Sequence, residues 1–230
     1  MLFLSTVTFA QEGVTSLGLV AGFVEPVQYY RASRAADKLT REATDGFKIG
    51  FRYETGLIKG FGVAMELNYG FAADVNSYAA VVGSSTLYKE KQDHYLHYLE
   101  IPVDWQYKFM IAKKTYLTVY TGPTLQVGLS NHYEVRQKLG DQIINEYRIN
   151  VYEVDEDKDG IKDYNRLNVT WGVGLGFQYD RYFIRGGYDF GIMSIYKDPY
   201  FNVTADDGWN RKGRLDQWQI KLGIYLWDNK

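Results

Sequence analysis

At 230 residues and 26.6 kDa the chain suits one large domain, and 26 Lys and Arg against 28 Asp and Glu leave a formal charge of −2, which removes the electrostatic case for nucleic acid as a partner. Cysteine is absent, so disulfides, thiolate metal sites and a cysteine nucleophile are excluded. Aromatic residues reach 17%, led by 21 Tyr, and 23 Gly stand against 4 Pro, a composition that favours long strands over helices.

In chain order, residues 1–10 form a short apolar run closing on Thr8-Phe9-Ala10. It reads as a truncated remnant of a secretory signal, with residues 11–230 forming a single domain. From there the signal is alternation of period two. The first strand sets Leu17, Leu19, Ala21 and Phe23 against Ser16, Gly18, Val20 and Gly22. A polar link near 25–45 leads to the second, with Phe47, Ile49, Phe51 and Tyr53 against Lys48, Gly50, Arg52 and Glu54. After a tight turn at Gly56 to Gly60, the third sets Phe61, Val63, Met65, Leu67, Tyr69 and Phe71 against Gly62, Ala64, Glu66, Asn68 and Gly70. A long link near 72–93 precedes the fourth, where Tyr95 through Phe109 on odd positions oppose Tyr98, Glu100, Pro102, Asp104, Gln106 and Lys108. A turn at Met110 to Lys114 opens the fifth, with Leu117, Val119, Leu125, Val127 and Leu129 against Tyr116, Thr118, Tyr120, Gly122 and Gln126. The longest link, near 131–165, precedes the sixth, Leu167 to Tyr179 on odd positions against Asn168, Thr170, Gly172, Gly174, Gly176 and Gln178. Asp180-Arg181 turns into the seventh, Tyr182 to Ile192, and a link near 195–213 leads to the eighth, Trp218 to Leu226.

Short turns alternating with long links predict an eight-stranded antiparallel up-and-down barrel, short turns on one rim and long loops on the other. No apolar run reaches 18 residues, so no helix can span a bilayer, and the mean hydropathy of −0.34 is compatible with a β-barrel that spans on alternate residues. The polar face decides the orientation. It carries many glycines, which a narrow interior needs, together with Lys48, Arg52, Lys108, Arg185 and Lys221 against Glu54, Glu66, Glu100, Asp104 and Asp189. Equal numbers of each sign can pair completely inside a closed barrel. The apolar face then looks out at lipid. Phe51, Tyr53, Phe61, Trp105, Tyr107, Phe177, Tyr179, Tyr182 and Trp227 gather at the short-turn rim as one aromatic girdle. Tyr69, Phe71, Tyr95, Trp218 and Tyr196 are expected in the opposite belt.

Tyr98-Leu99-Glu100-Ile101-Pro102-Val103 followed by Gln106-Tyr107-Lys108-Phe109 resembles a strand of the PorT-like and OmpX-like outer-membrane β-barrel proteins of Bacteroidota. Gly122-Pro123 and the run from Arg185 to Gly191 are similar to further strands of that family. The resemblance implies a bacterial outer-membrane location with short periplasmic turns, insertion by the barrel-assembly machinery, and no assigned enzymatic activity.

One local motif has metal-ligand spacing. In the longest link Asp155, Asp157, Asp159 and Asp163, with Gly160 for a sharp turn and the Ile161 carbonyl, match positions 1, 3, 5, 9, 6 and 7 of a calcium loop, although Arg166 stands where the bidentate Glu belongs. Calcium is the only cofactor these residues suggest. His94 and His97 flank the loop end of the fourth strand, with His132, Ser130 and Ser84-Ser85 nearby by topology, but no motif ties a nucleophile to a base. The expectation is a non-enzymatic barrel in outer-membrane lipid, its lumen plugged by side chains, acting through extracellular loops on an envelope or extracellular protein or as an envelope support. A lipid-modifying enzyme and a soluble lipocalin-like carrier are the competing readings.

Overall fold

The computed structural model describes residues 13–30, 40–82, 86–154, 164–197, 200–201, 209–210 and 213–229. The strands are β1 (Thr15–Tyr30), β2 (Thr40–Ala43), β3 (Asp45–Ile58), β4 (Phe61–Val82), β5 (Thr86–Ala112), β6 (Thr115–Leu139), β7 (Gln142–Asn150), β8 (Leu167–Tyr179), β9 (Tyr182–Gly191), β10 (Tyr200–Phe201), β11 (Trp209–Asn210) and β12 (Gly213–Asn229). Eight of them form a closed antiparallel ring in the order β12-β9-β8-β6-β5-β4-β3-β1, sealed by pairing of β1 with β12 from Thr15↔Asn229 to Tyr30↔Gly213. Closure leaves no free edge in the ring, which is what a strand protein needs where water cannot satisfy the backbone. Of the other strands, β2 continues the edge of β1 above β3, and β7 folds back on β6 as a hairpin.

The short turns are where the alternation places them. Lys59 and Gly60 both adopt positive φ (45° and 88°), and Lys114 (60°) and Asp180 (51°) do so in the other two turns. This is the backbone that matches a hairpin turn to the strand twist. Thr15, Thr55 and Asn229 meet at the same rim.

Two features depart from the sequence expectation. The described parts of the links near 72–93 and 131–165 are largely strand: β4, β5 and β6 run to 22, 27 and 25 residues, and β7 adds a fourth strand to their far ends. These segments hide from a period-two search because both faces are wet, so no contrast between apolar and polar positions develops. Second, two β-bulges flip the parity. Leu226 is unpaired between Leu17↔Trp227 and Gly18↔Tyr225, and Leu129 between His97↔Ser130 and Tyr98↔Gly128. Tyr225 still follows the inward odd phase of Gln217, Gln219 and Lys221, whereas beyond Leu226 the extra residue turns Trp227 outward, and above Leu129 it turns Asn131 and Val135 toward the inside.

Most large apolar side chains of the ring point outward, apart from two small inward clusters, Val20–Phe183–Tyr225 and Ala72–Leu96–Tyr98. Phe51, Phe61, Leu67 and Leu175 are each more than half exposed, whereas the ten charged residues of the other face are all buried. At the outer edge Phe23 packs on Trp218 (5.3 Å), and Phe47, Phe71 and His97 form a row (5.6 and 4.9 Å) closed by the Tyr69 hydroxyl, 2.6 Å from His97 Nδ1. Tyr196 is not in this belt. It is buried at the barrel mouth against Tyr164, 5.2 Å between ring centres, because residues 164 and 196 bridge across the opening. Between the belts Trp171 stands near Trp105 (5.7 Å), and the Trp171 indole N–H donates to Thr121 Oγ1 at 2.9 Å, so that donor is not left open to lipid.

Candidate functional site: a sealed lumen beneath an extracellular sheet

Inward positions of six strands, β3, β4, β5, β6, β9 and β12, converge on one network. Glu66 on β4 is its hub: one carboxylate oxygen accepts from Arg52 (2.7 Å) and Arg185 (2.8 Å), the other from Lys221 (2.6 Å) and Asn68 (3.0 Å). Arg185 also donates to Asp104 at 2.6 Å and lays its guanidinium 3.7 Å over the Tyr120 ring. Toward the short-turn rim Arg52 donates to Glu54 (3.0 Å) and Gln106 (2.8 Å), while Glu54 also pairs with Lys108 and accepts from the Tyr225 hydroxyl at 2.6 Å. Toward the mouth Lys48 clasps both oxygens of Glu100 (2.7 and 2.8 Å) and reaches Gln219 (2.9 Å), whose amide donates to Asp189 at 2.9 Å. Every one of the ten charges has an opposite charge or an amide on it. Opposed charges at these distances make burial tolerable, and together they fill the bore with side chains.

Glycine gives the aromatic rings room inside. The Tyr98 ring lies over Gly70, and the Tyr120 ring over Gly174 and Gly187, so a Cβ at any of the three would collide with a ring. Above the network the chain turns inward after β7. Val151–Glu153 forms a 3-10 turn capped by the Asn150 side chain, which accepts from Tyr152 N at 3.2 Å, and buries Val151 and Tyr152. The Tyr152 hydroxyl sits over Gly128, and Arg166 covers its ring at 4.9 Å. A cavity of only about 50 Å³ separates this cap from Tyr98 and Gln217.

Outside the cap lies a polar cleft of about 670 Å³, with Tyr30, Arg41, Glu42, Asp74, His94 and Tyr133 on its walls. Tyr30 donates to Glu42 at 2.6 Å, and burial together with that carboxylate pushes its hydroxyl pKa up. His94 stacks flat on Tyr133 (4.3 Å, 9°) with Nε2 2.7 Å from Asn131 Oδ1. It lies three residues beyond His97 and the outer belt, and burial holds its imidazole below the ordinary value. Beyond the mouth β4, β5, β6 and β7 continue as a four-stranded sheet, with Val75, Tyr78, Val81, Ile143 and Ile144 exposed.

Among the predicted site residues, Asp155, Asp157, Asp159, Ile161 and Asp163 lie outside the described residues, as does the segment 1–10 and Ser84-Ser85. The three histidines do not converge. His94 faces inward at the mouth, His97 faces out beside Tyr69, and His132 packs on Tyr95 (5.2 Å). Ser130 Oγ lies 3.2 Å from His132 Nδ1, but the nearest carboxylate among the described residues, Glu134, is 3.9 Å from Nε2 and half exposed, too far to hold the ring by a hydrogen bond. Sequence reasoning missed Asp216, fully buried between the Tyr188 hydroxyl (2.8 Å), the Gly191 amide (2.9 Å) and Arg214 (3.2 Å). Its neighbour Gln217 also turns inward, so no alternation marks the position.

A closed β-ring with lipid-compatible side chains outside and paired ions inside defines a transmembrane barrel. Residues 15–197 match the model of the outer membrane protein beta-barrel domain family, and the chain belongs to that family, a bacterial outer-membrane protein. Among solved structures it is similar to Ail, the attachment invasion locus protein of Yersinia pestis (13% identity, 94% of this chain and 100% of that chain, TM-score 0.41). It is also similar to Neisserial surface protein A (9%, 94% and 100%, 0.41) and to the N-terminal barrel of Pseudomonas aeruginosa OprF (13%, 91% and 98%, 0.29). A search of the curated proteins gives no match.

Proposed function

We propose that the chain is a non-conducting, non-enzymatic outer-membrane protein that works at the cell surface, its barrel serving as an anchor for the β4–β7 sheet and the loops around the mouth. The observation that carries this reading is the contrast along one axis: the bore is filled by the Glu66, Glu100 and Arg52 network and capped by Tyr152, while the longest strands continue past the outer belt. Side chains that occupy an eight-stranded bore leave no path for solutes, and binding residues concentrate on segments held out by a rigid scaffold. Its partner on this reading is an extracellular or envelope protein.

Two of the competing readings meet specific obstacles. A soluble carrier would bury the large apolar set, which here faces outward. A lipid-modifying enzyme would need a base oriented at its nucleophile, and among the described residues Ser130–His132 has no carboxylate within hydrogen-bond distance of the ring. The strand from Tyr98 to Phe109 supports a place among the PorT-like and OmpX-like barrels of Bacteroidota, with insertion by the barrel-assembly machinery. Reconstitution into planar bilayers tests the lumen: a silent membrane under applied voltage is the expected outcome, and discrete, reproducible conductance steps from purified protein would contradict it. Crosslinking on intact cells from positions on β7 then identifies the partner.

A further inference from the structure

On the lipid-facing side, the sheet above the membrane carries a groove of about 350 Å³ whose lining includes Ser77, Ala79, Lys89, Lys91, Arg136 and Lys138, together with Tyr78 and Glu90, the Glu90 carboxylate being taken up by Tyr88, Gln92 and Gln137. Its composition runs against strand-pairing chemistry. Lys89 stands directly opposite Lys138, and Lys91 directly opposite Arg136. Like charges in facing positions destabilise a sheet. Two of the four cations are compensated, Lys91 by Asp93 at 2.8 Å and Arg136 by Glu146 at 2.6 Å. Among the described residues no carboxylate pairs with Lys89 or Lys138.

The groove also has a fixed position relative to the bilayer. The β4–β5 pairing keeps one register from Phe61↔Tyr107 to Val82↔Thr86, so odd residues of β5 share one face from Phe109 up to Leu87. Lys91 and Lys89 therefore continue the face that presents Trp105, Leu99 and His97 to lipid. They stand six and eight residues beyond His97, about 15–20 Å above the belt at ~3.3 Å per residue and a tilt of ~40°. Phospholipid headgroups add only about 5–8 Å to each side of the hydrocarbon layer. An anion reaching this groove from the membrane has to sit on a tall headgroup.

We propose that the Lys89–Lys91–Arg136–Lys138 groove binds the phosphorylated saccharide headgroup of an anionic glycolipid in the surrounding outer leaflet. The cations face sideways over the lipid surface, and two of them have no carboxylate of their own among the described residues. Ser77 and Ala79 keep the neighbouring strand low, leaving space for a sugar ring. The proposal goes beyond surface presentation and uses a different face of the sheet from the mouth cleft.

The test reconstitutes the full chain in phosphatidylcholine nanodiscs and titrates in rough lipopolysaccharide, followed by tryptophan fluorescence and by the phosphate retained per barrel. Near a membrane surface each lysine contributes roughly five-fold in affinity, so Lys89→Gln with Lys138→Gln is expected to weaken retention roughly thirty-fold. Lys59→Gln with Lys113→Gln, on the opposite rim, is expected to leave it unchanged. Heat-modifiable migration of both double variants confirms folded barrels before binding is read. Equal retention by wild type and the Lys89/Lys138 variant overturns the site. So does retention that survives enzymatic removal of the phosphates, or a tighter preference for soluble heparin or inorganic phosphate, which would make the source aqueous rather than lipid. Surface function can fail separately, since crosslinking from β7 does not depend on these lysines.

Discussion

Glu66 joins more buried cations than any other carboxylate among the described residues. Its two oxygens hold Arg52, Arg185, Lys221 and Asn68, from four different strands. Glu66→Ala would leave three buried cations short of a counter-charge, a change that typically costs about 3–5 kcal/mol. We expect a barrel that unfolds at markedly lower denaturant in micelles, and migration on unheated gels shifting to the unfolded position. Glu66→Gln keeps the volume but not the charge, so it is expected to fall close to the alanine variant. His94 gives the pH dependence. Because burial lowers its pKa in the folded mouth, the opened form binds the proton more readily. The closed mouth is therefore favoured above the ordinary value of 6.5 and progressively penalised as pH falls below it. Amide exchange at Asn131 to Tyr133 should accelerate on acidification below that value, and His94→Gln should flatten the response.

At the scale of elements, legibility in the sequence follows the difference between faces. Where a strand has lipid on one side and the lumen on the other, as in Phe61 to Phe71, alternation gave its position, its facing and its charges. Where both faces are wet, as in Asp74 to Val82 or Gln142 to Asn150, the same backbone geometry left no periodic trace, and long strands read as loops. The bulges at Leu129 and Leu226 were invisible for another reason. An extra residue shows only against the partner strand, and a single sequence does not carry the pairing. Of the candidate site, the lumen charges were legible because their signs balance, whereas the cross-strand lysine pairs were not, since facing depends on register. The acidic stretch Asp155 to Asp163 stands as a proposal from spacing alone. Calcium titration should protect this link from protease in a saturable way, and Asp157→Ala should abolish the protection; identical protection in the variant would show that the acidic cluster is an ordinary solvated loop.

The whole molecule reads as an inside-out protein. Its apolar side chains face the solvent it was built for, lipid, and its polar network takes the place of an apolar core. Charge balance, glycine placement, aromatic belts and the closing β1–β12 ladder all require that one orientation. The absence of cysteine makes it directly measurable, because single cysteines can be introduced one at a time with no background. Spin labels placed singly from Phe61 to Phe71 in reconstituted bilayers should show oxygen accessibility of period two, high at Phe61, Val63, Met65, Leu67 and Tyr69 and low at Gly62, Ala64, Glu66 and Asn68. The reverse phase, with Glu66 and Asn68 open to an aqueous relaxant while Met65 and Leu67 are shielded, would contradict it.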